Sequence, residues 1–296
     1  MSAGLPTVTV AIASRREDGD LTACLAAFET QRDDGTEIVV ATAGTAFPST
    51  EFPWACWVDG PADALVPRLW GLALSRARGD VVAFTTTQFR PRPEWLGVIR
   101  ASHARLGAAG IGGPIDPPPT GRAFDWAVYF LRYSAYLAYD REVEIADLAG
   151  DNASYKRAAL RSVGADTAGE FWEQEAHRAL RGGGEALVFV PGMRVQQVGS
   201  PPAGAFLGDR MRHGRRFGAD RARRHATPWR LAALCAAPLI PLVVLAKVVA
   251  RVLRARRPWS RLAGALPALA ACCVAWGLGE ASGYWSAIGD RDAARR

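Results

Sequence analysis

The order of apolar runs over the first 95 residues constrains the fold more than any other feature. Val8 to Ile12 is a short run rich in β-branched residues, the pattern of a buried strand. Leu21, Cys24, Leu25 and Phe28 then recur at helical spacing. Glu37 to Thr42 is a second strand ending in Ala43-Gly44-Thr45, and Trp54 to Val58 is a short third. Pro67 to Leu74 opens a helix that ends at Gly79-Asp80, Val81 to Phe84 is another buried strand, and Pro93-Glu94-Trp95-Leu96 starts a further helix. Strand–helix–strand order implies a parallel sheet with right-handed crossovers. Ligands of such sheets bind beyond the carboxyl ends of the strands. Ala13 to Arg16 is read as the turn after the first strand, and Ser14 to Arg16 then share one rim with Thr42 to Thr45 and the block Gly60 to Trp95. Ile111 to Ile115 reads as a strand with a glycine turn, and Ala186 to Pro191 as a last strand.

Gly150 to Leu180 is the stretch with most chemistry. Asp151, Asn152 and Ser154 favour turns and caps because their side chains bond nearby backbone. Ala159, Leu160 and Val163 form a helical face, and Gly164 can close that helix. Glu173 and Glu175 fall in the first turn of the next helix, where the dipole favours negative charge. Spacing alone supports a capped helix pair with solvated glutamates, and also a carboxylate base beside Trp172. His177 follows Glu173 by four residues on one face. A surface or ion-paired histidine fits that spacing, and a metal ligand would need a third partner.

The 296 residues are 49% hydrophobic, enough for one large domain or a domain with an appendage. The net charge of +7 is concentrated in arginines at 210–230 and 251–261. Without zinc-finger spacing or an RNA-binding signature, anionic lipid suits this charge better than nucleic acid. Arg210 to Arg230, with Met211, Phe217 and Trp229, has the composition of an interfacial amphipathic helix. Leu231 to Val252 is apolar but broken by Pro238 and Pro241; Leu262 to Ile288 is a second apolar segment with Pro267 and Glu280. Each approaches the roughly 20 residues that a spanning helix needs. Arg230 precedes the first segment and Arg251, Arg254, Arg256, Arg257 and Arg261 follow it, so two spans, a shallow re-entrant pair and a buried soluble hairpin all remain open. The aromatic run Phe124 to Leu137 reads either as core packing or as an interfacial belt. The start Met1 to Pro6 lacks the pattern of a signal peptide, and five unpaired-looking cysteines suit a reducing compartment. The expectation is a chain attached to the cell membrane with its N-terminal domain in the cytoplasm.

Several blocks between residues 6 and 200 resemble, in order, the family 2 glycosyltransferases of the GT-A fold. Arg68, Gly71, Gly79, Asp80, Pro91 and Trp95 match one block. Gly150, Asn152, an aromatic and basic pair, Leu160, Val163-Gly164 and the acids at 173 and 175 match another. Composition and hydropathy add C-terminal hydrophobic helices, with a basic interfacial segment at 206–230 and a membrane-associated helical hairpin at 231–296. The resemblance implies that residues 1–205 are a glycosyltransferase domain of α/β fold with a Rossmann-like mixed sheet and helices on both faces. It implies that a nucleotide-diphosphate sugar binds at Ser14, Arg15, Thr42, Gly44, Arg68, Thr86 and Gln88. The acceptor, a lipid or glycan, would lie near Asp151, Asn152, Trp172 and Glu175, with Glu173 as the catalytic base of an inverting transfer.

The sequence departs from that family where its acids should be. Thr42 stands for the nucleobase-binding Asp, Leu69 for an Asn, Trp172 for the first acid of the pair, and Thr86 and Gln88 for the metal-binding Asp-x-Asp. Gln197 stands near a usual His. The family implies Mg2+ or Mn2+, but hydroxyl and amide oxygens are weak ligands for a hard cation. Arg15, Arg16, Arg68, Arg90 and Arg92 are the cations that could replace it. The alternative is a catalytically inactive GT-A-like protein serving as a membrane-bound binding or scaffold module. A membrane-associated subgroup with an altered Asp-x-Asp motif is the nearest pattern.

Overall fold

The computed structural model describes residues 5–16, 20–44, 50–167, 169–255 and 259–293, with side chains to residue 287. Met1 to Gly4, Thr45, Arg256, Arg257 and the side chain of Ile288, all used above, lie outside the described residues. In chain order the elements are β1 (Val8–Arg15), α1 (Leu21–Glu29), β2 (Thr36–Ala43), β3 (Ala55–Gly60), α2 (Val66–Arg76), β4 (Val81–Thr86), β5 (Phe89–Pro91), α3 (Trp95–Arg105), β6 (Gly110–Gly112) and β7 (Ile115–Asp116). These are followed by α4 (Ala123–Tyr133), β8 (Val143–Glu144), β9 (Ala153–Lys156), α5 (Arg157–Ser162), α6 (Glu173–Gly182), β10 (Leu187–Phe189) and β11 (Val195–Gln197). The C-terminal helices are α7 (Ala203–Arg223), α8 (Thr227–Ala236), α9 (Ile240–Arg254) and α10 (Trp259–Ala293).

The chain divides into two compact units. Residues 1–119 and 139–199 form one, and residues 120–138 and 200–296 the other. The aromatic helix α4 therefore belongs with the C-terminal helices.

The first unit is built on an eight-stranded mixed sheet ordered β3-β2-β1-β4-β9-β6-β10-β8, with a small β5-β11-β7 sheet beside it. β1 pairs in parallel with both β2 and β4, and β9 inserts antiparallel between β4 and β6. All eight residues of β1 are buried. The strand runs three residues beyond its apolar run, because Ala13, Ser14 and Arg15 pair with Ala41, Thr42 and Ala43. The turn expected at Ala13 to Arg16 therefore begins only at Arg16. In α1 the expected Leu21, Cys24, Leu25 and Phe28 are buried, and the Asp20 carboxylate caps the helix by accepting from the Ala23 amide at 3.0 Å. Ile111 to Ile115 is two short strands in different sheets, where one strand was expected.

At the amino-terminal ends of the central strands a polar network ties neighbours together. The Thr9 hydroxyl donates to Glu37 at 2.6 Å, the Arg78 guanidinium and amide both donate to Glu37, and Asp80 accepts from the Thr7 amide and hydroxyl.

In the second unit, α7 and α10 approach backbone to backbone. A methyl group on Gly214 or Gly218 would stand 2.5 Å or 2.3 Å from the carbonyl oxygens of Trp276 or Glu280, and one on Gly279 or Gly283 would stand 2.2 Å or 2.3 Å from those of Met211 or Arg215. Two small-xxx-small pairs thus face each other, the geometry of close helix packing. Trp126, Tyr129, Phe130 and Tyr133 of α4 are buried inside this unit, so they act as core side chains. The basic segment is not one helix: α7 ends at Arg223 and Trp229 sits in α8. Thr227–Arg254 and Trp259–Ala287, of mean hydropathy 2.3 and 1.8, are long and apolar enough to cross a bilayer, and only 11% of the first one's apolar stretch is buried.

Replacing Gly279 by Val should destabilise the second unit by on the order of 3 kcal/mol, whereas Gly264→Val, where a side chain meets nothing within 4 Å, should cost far less. Equal unfolding midpoints for the two variants would refute the close packing. A second expectation concerns His103 on α3, whose Nε2 lies 3.0 Å from the Ser154 hydroxyl on β9. Burial, reinforced by the Lys156 charge, pushes its pKa from 6.5 down to about 4. The folded state thus favours the neutral ring. Its stabilisation is complete above pH 6.5 and is lost as pH falls towards 4, by roughly 3 kcal/mol in all. Unfolding of the first unit followed from pH 7 to pH 4.5 should show this slope, and His103→Gln should flatten it.

Candidate active site at the strand ends

The rim beyond the carboxyl ends of β1, β2 and β4 collects residues from four distant parts of the sequence. Ser14 and Thr42 are Cα partners across β1 and β2, Thr42 and Asp59 across β2 and β3, and Ala13 and Thr86 across β1 and β4. Gly44 leaves β2 with φ +67°, a turn that suits glycine. Ser14, Thr42, Thr86 and Gln88 are buried, and Arg15 is 8% exposed. The hydroxyls of Thr42, Thr85 and Thr87 and the Gln88 Oε1 are buried without a hydrogen-bond partner among the described residues. Such groups each cost about 1–3 kcal/mol unless something bonds them, which fits a polar ligand at this rim. Asp59 was not anticipated. It is exposed in register with Thr42, and the only signal for it was an Asp-Gly closing the third apolar run.

The rim arginines are differently disposed from the expectation. Arg90 donates to the carbonyls of Thr87, Phe89 and Asp20. Arg92 and Arg194 both pair with Asp116, and these guanidiniums hold the Asp116 carboxyl below the usual range against its burial. Arg68 donates to the Gly169 carbonyl at 2.6 Å. Arg68, Arg90 and Arg92 therefore fasten loops; Arg16 at the end of β1 is exposed, as is Arg92, whereas Arg15 is buried.

The loop before α6 is fastened onto α2 at several points. The Phe171 amide donates to the Pro67 carbonyl at 2.8 Å, and a methyl on Gly71 would stand 2.5 Å from the Gly169 oxygen. Gly169 itself has φ +71°. Phe171 stacks on Phe84 of β4 at 4.2 Å between ring centroids, and the Trp70 indole donates to the Thr85 carbonyl at 2.8 Å. These contacts deliver Glu173, half-buried at the first position of α6, to the strand ends. A methyl group on Gly150 would stand 3.2 Å from the Glu173 carboxyl carbon and 3.1 Å from the Trp70 ring. The carboxylate is thus seated at the turn that carries Asp151, which is 3% exposed.

The remaining acceptor-side residues differ in role. Asn152 is fully buried, accepts from the Trp95 indole at 2.8 Å and donates to the carbonyls of Pro114 and Met193. With both ends of its amide engaged, it ties the loop to α3 and to the carbonyls of two neighbouring segments. The Trp172 indole donates to Glu170 at 2.8 Å. Glu175 is exposed, and two residues on a helix turn it to the side away from Glu173. His177 is buried: its Nδ1 stands 3.3 Å from Asp147 and its Nε2 2.6 Å from the Tyr155 hydroxyl. A carboxylate only accepts, so Nδ1 carries the proton and Nε2 takes the Tyr155 hydrogen. The bond from His177 holds the Asp147 carboxyl below its ordinary range. His177 is therefore a pin between α6 and β9.

The same rim offers few groups that could ligate a metal ion. Thr86 ends β4 and Gln88 lies two residues beyond it, and the Val198 amide donates to the Gln88 carbonyl, which brings Gln197 alongside. These are hydroxyl and amide donors. Among the described residues no three His, Cys, Asp or Glu side chains are placed to hold an ion. The set does not suit Mg2+ or Mn2+, which favour carboxylates.

No protein-family model matches the sequence, and no curated protein sequence matches it. Solved structures do share its fold. The mannosyltransferase PcManGT from Pyrobaculum calidifontis, determined with GDP-Man and Mn2+, superposes with a TM-score of 0.53 at 16% identity over 94% of this chain and 87% of its own. GalNAc-T7, determined with UDP, GalNAc and Mn2+, superposes with a TM-score of 0.51 at 14% identity over 67% of this chain, which spans 44% of that one. The fold is therefore GT-A-like, as the order of blocks implied.

Arg68→Gln should release the loop before α6. Hydrogen exchange at the Phe171 amide should rise about tenfold, as expected from losing one charge-assisted hydrogen bond of about 1.5 kcal/mol. Unchanged exchange would show that Arg68 does not fasten the loop.

Proposed function

We propose that the first unit is a glycosyltransferase that uses a nucleotide-diphosphate sugar, with Glu173 as the general base. The observation that carries this reading is the seat of the Glu173 carboxylate against Gly150 and Trp70, at the same strand ends where buried hydroxyls have no partner among the described residues. The donor occupies the rim formed by Ser14, Arg15, Thr42, Gly44 and Thr86 to Gln88. Asp59, in register with Thr42, supplies the carboxylate that the second strand lacks for reading the nucleobase. Glu173 removes the proton of an acceptor hydroxyl. The oxygen attacks the anomeric carbon from the face opposite the diphosphate, the bond to the diphosphate breaks, and configuration inverts. Such a base contributes about 10²–10⁴-fold to rate. Thr86, Thr87 and Gln88 offer hydroxyl and amide groups to the departing diphosphate, the kind of preorganised polar contact that stabilises developing charge.

The second unit holds this site at a membrane. Its two apolar helices suit a bilayer by length, and the arginines of α7 suit its anionic surface. A lipid or lipid-linked glycan is the acceptor in this reading, and the catalytic unit lies on the cytoplasmic side. The missing carboxylates favour one rival, a GT-A-like protein that binds a glycan or a partner enzyme without catalysis.

Thermal unfolding against a panel of nucleotide sugars, including GDP-mannose and UDP-GalNAc, with and without Mn2+, separates the two readings. An enzyme should be stabilised by at least one donor. Glu173→Gln should keep that shift and lose more than about 100-fold in transfer rate. Undiminished transfer by Glu173→Gln would remove the base assignment. Absence of any shift with every donor favours the non-catalytic reading.

A further inference from the structure

The second unit contains a cleft of ≈ 260 Å³ that the transfer chemistry does not use. Its walls are Arg221 of α7, Trp229, Ala233 and Ala236 of α8, Ile240 of α9 and Tyr284 of α10. At this size it holds less than a typical ligand pocket, so it suits a headgroup and the start of one chain better than a nucleotide sugar. Arg221 is held in place from two sides. Its guanidinium lies 5.1 Å from the centre of the Trp229 ring, and its Nη1 is 3.3 Å from the Tyr284 hydroxyl and 3.6 Å from the Glu280 carboxylate. The side chain nevertheless remains 49% exposed, with donors left for an incoming anion. Glu280 is 3% exposed and also accepts from the Trp276 indole and the Tyr284 hydroxyl, so it is a floor beneath the cleft.

A second cation strengthens the local positive charge. Arg230, one residue after Trp229, is 1% exposed. Its Nε and Nη1 donate to the carbonyls of His225 and Ala287, and Nη2 has no partner among the described residues. None of the described carboxylates pairs with it. Two guanidiniums and one carboxylate leave a net positive charge at the start of the apolar stretch Thr227–Arg254. That is the level where aromatic and basic side chains meet lipid phosphates.

We propose that this cleft binds one anionic membrane phospholipid, with its phosphate on Arg221 and the first part of one acyl chain along Ala233, Ala236 and Ile240. The inference rests on the membrane attachment proposed above. It is tested with the full chain in phosphatidylcholine vesicles carrying a trace of phosphatidylglycerol with a diazirine on its acyl chain. Photoadducts mapped by mass spectrometry should concentrate between residues 229 and 240 and at Tyr284. The zwitterionic diazirine phosphatidylcholine should label these positions about fivefold less, the factor expected for one basic residue near the surface. Arg221→Gln should lower the phosphatidylglycerol adducts by a similar factor. Ala236→Phe, at an exposed position that leaves every charge in place, should lower them by filling the slot. Adducts spread evenly along the apolar helices, or unchanged by Ala236→Phe, would overturn the site. So would loss of labelling on adding inorganic phosphate alone, because the ligand would then be free phosphate. Failure of the chain to float with the vesicles removes the membrane attachment itself, whereas flotation with indifferent labelling removes only the lipid site.

Discussion

The contact between Gly71 and Gly169 is the constraint on which the candidate site depends. It joins the helix that follows the third strand to a loop a hundred residues later, and it does so at backbone distance. A side chain at position 71 would meet the Gly169 carbonyl at 2.5 Å. Once that approach is made, Arg68 reaches the same carbonyl, Phe171 hydrogen-bonds Pro67 and stacks on Phe84, and α6 begins where its first carboxylate meets Gly150 and Trp70. His177 then fixes the helix from its far side through Tyr155 and Asp147. Each of these bonds restrains the position of Glu173 without touching it, the second layer of support that a reactive carboxylate needs.

The two ends of the central sheet are treated oppositely. The amino-terminal ends are tied by Thr9, Glu37, Arg78, Thr7 and Asp80, all mutually satisfied. At the carboxyl-terminal ends, threonine hydroxyls and a glutamine oxygen are buried without protein partners among the described residues. A protein tolerates such groups where a ligand completes them. Gly79-Asp80 is thus part of the stability of the sheet, although it belongs to the same block of matched residues as Arg68 and Gly71. The second unit works by a different rule. Its α7 and α10 meet through glycines, which allow dispersion contacts between backbones where no aqueous driving force is required.

The departures from expectation have physical causes. β1 outruns its apolar run because parallel pairing with β2 continues regardless of side-chain polarity, and that moves Ser14 and Arg15 from a turn into the sheet. Asn152 stands in a matched motif and is fully buried, with Trp95 on its oxygen and two backbone carbonyls on its nitrogen. Arg90 and Arg92 were candidate stand-ins for a metal, but backbone carbonyls and Asp116 engage them. Asp59 escaped notice because a lone carboxylate at the end of a short edge strand has no local signature. Only the register with Thr42 gives it a place.

The amino-acid sequence by itself determined the alternation of strands and helices from β1 to β4, the carboxylates in the first turn of α6, the loss of acids at Thr42, Thr86 and Gln88, and the two apolar C-terminal segments. Each follows from periodicity, residue chemistry or matched spacing along neighbouring residues. Tertiary structure alone decided that α4 joins the C-terminal helices, that Arg68 is spent on a loop, that Glu173 sits against Gly150 and Trp70, and that Arg221 and Tyr284 border one cleft. Those facts are pairings across tens to hundreds of residues. They depend on where a glycine lets two backbones touch and on which of several equivalent polar groups a buried side chain meets, and no local pattern carries that information.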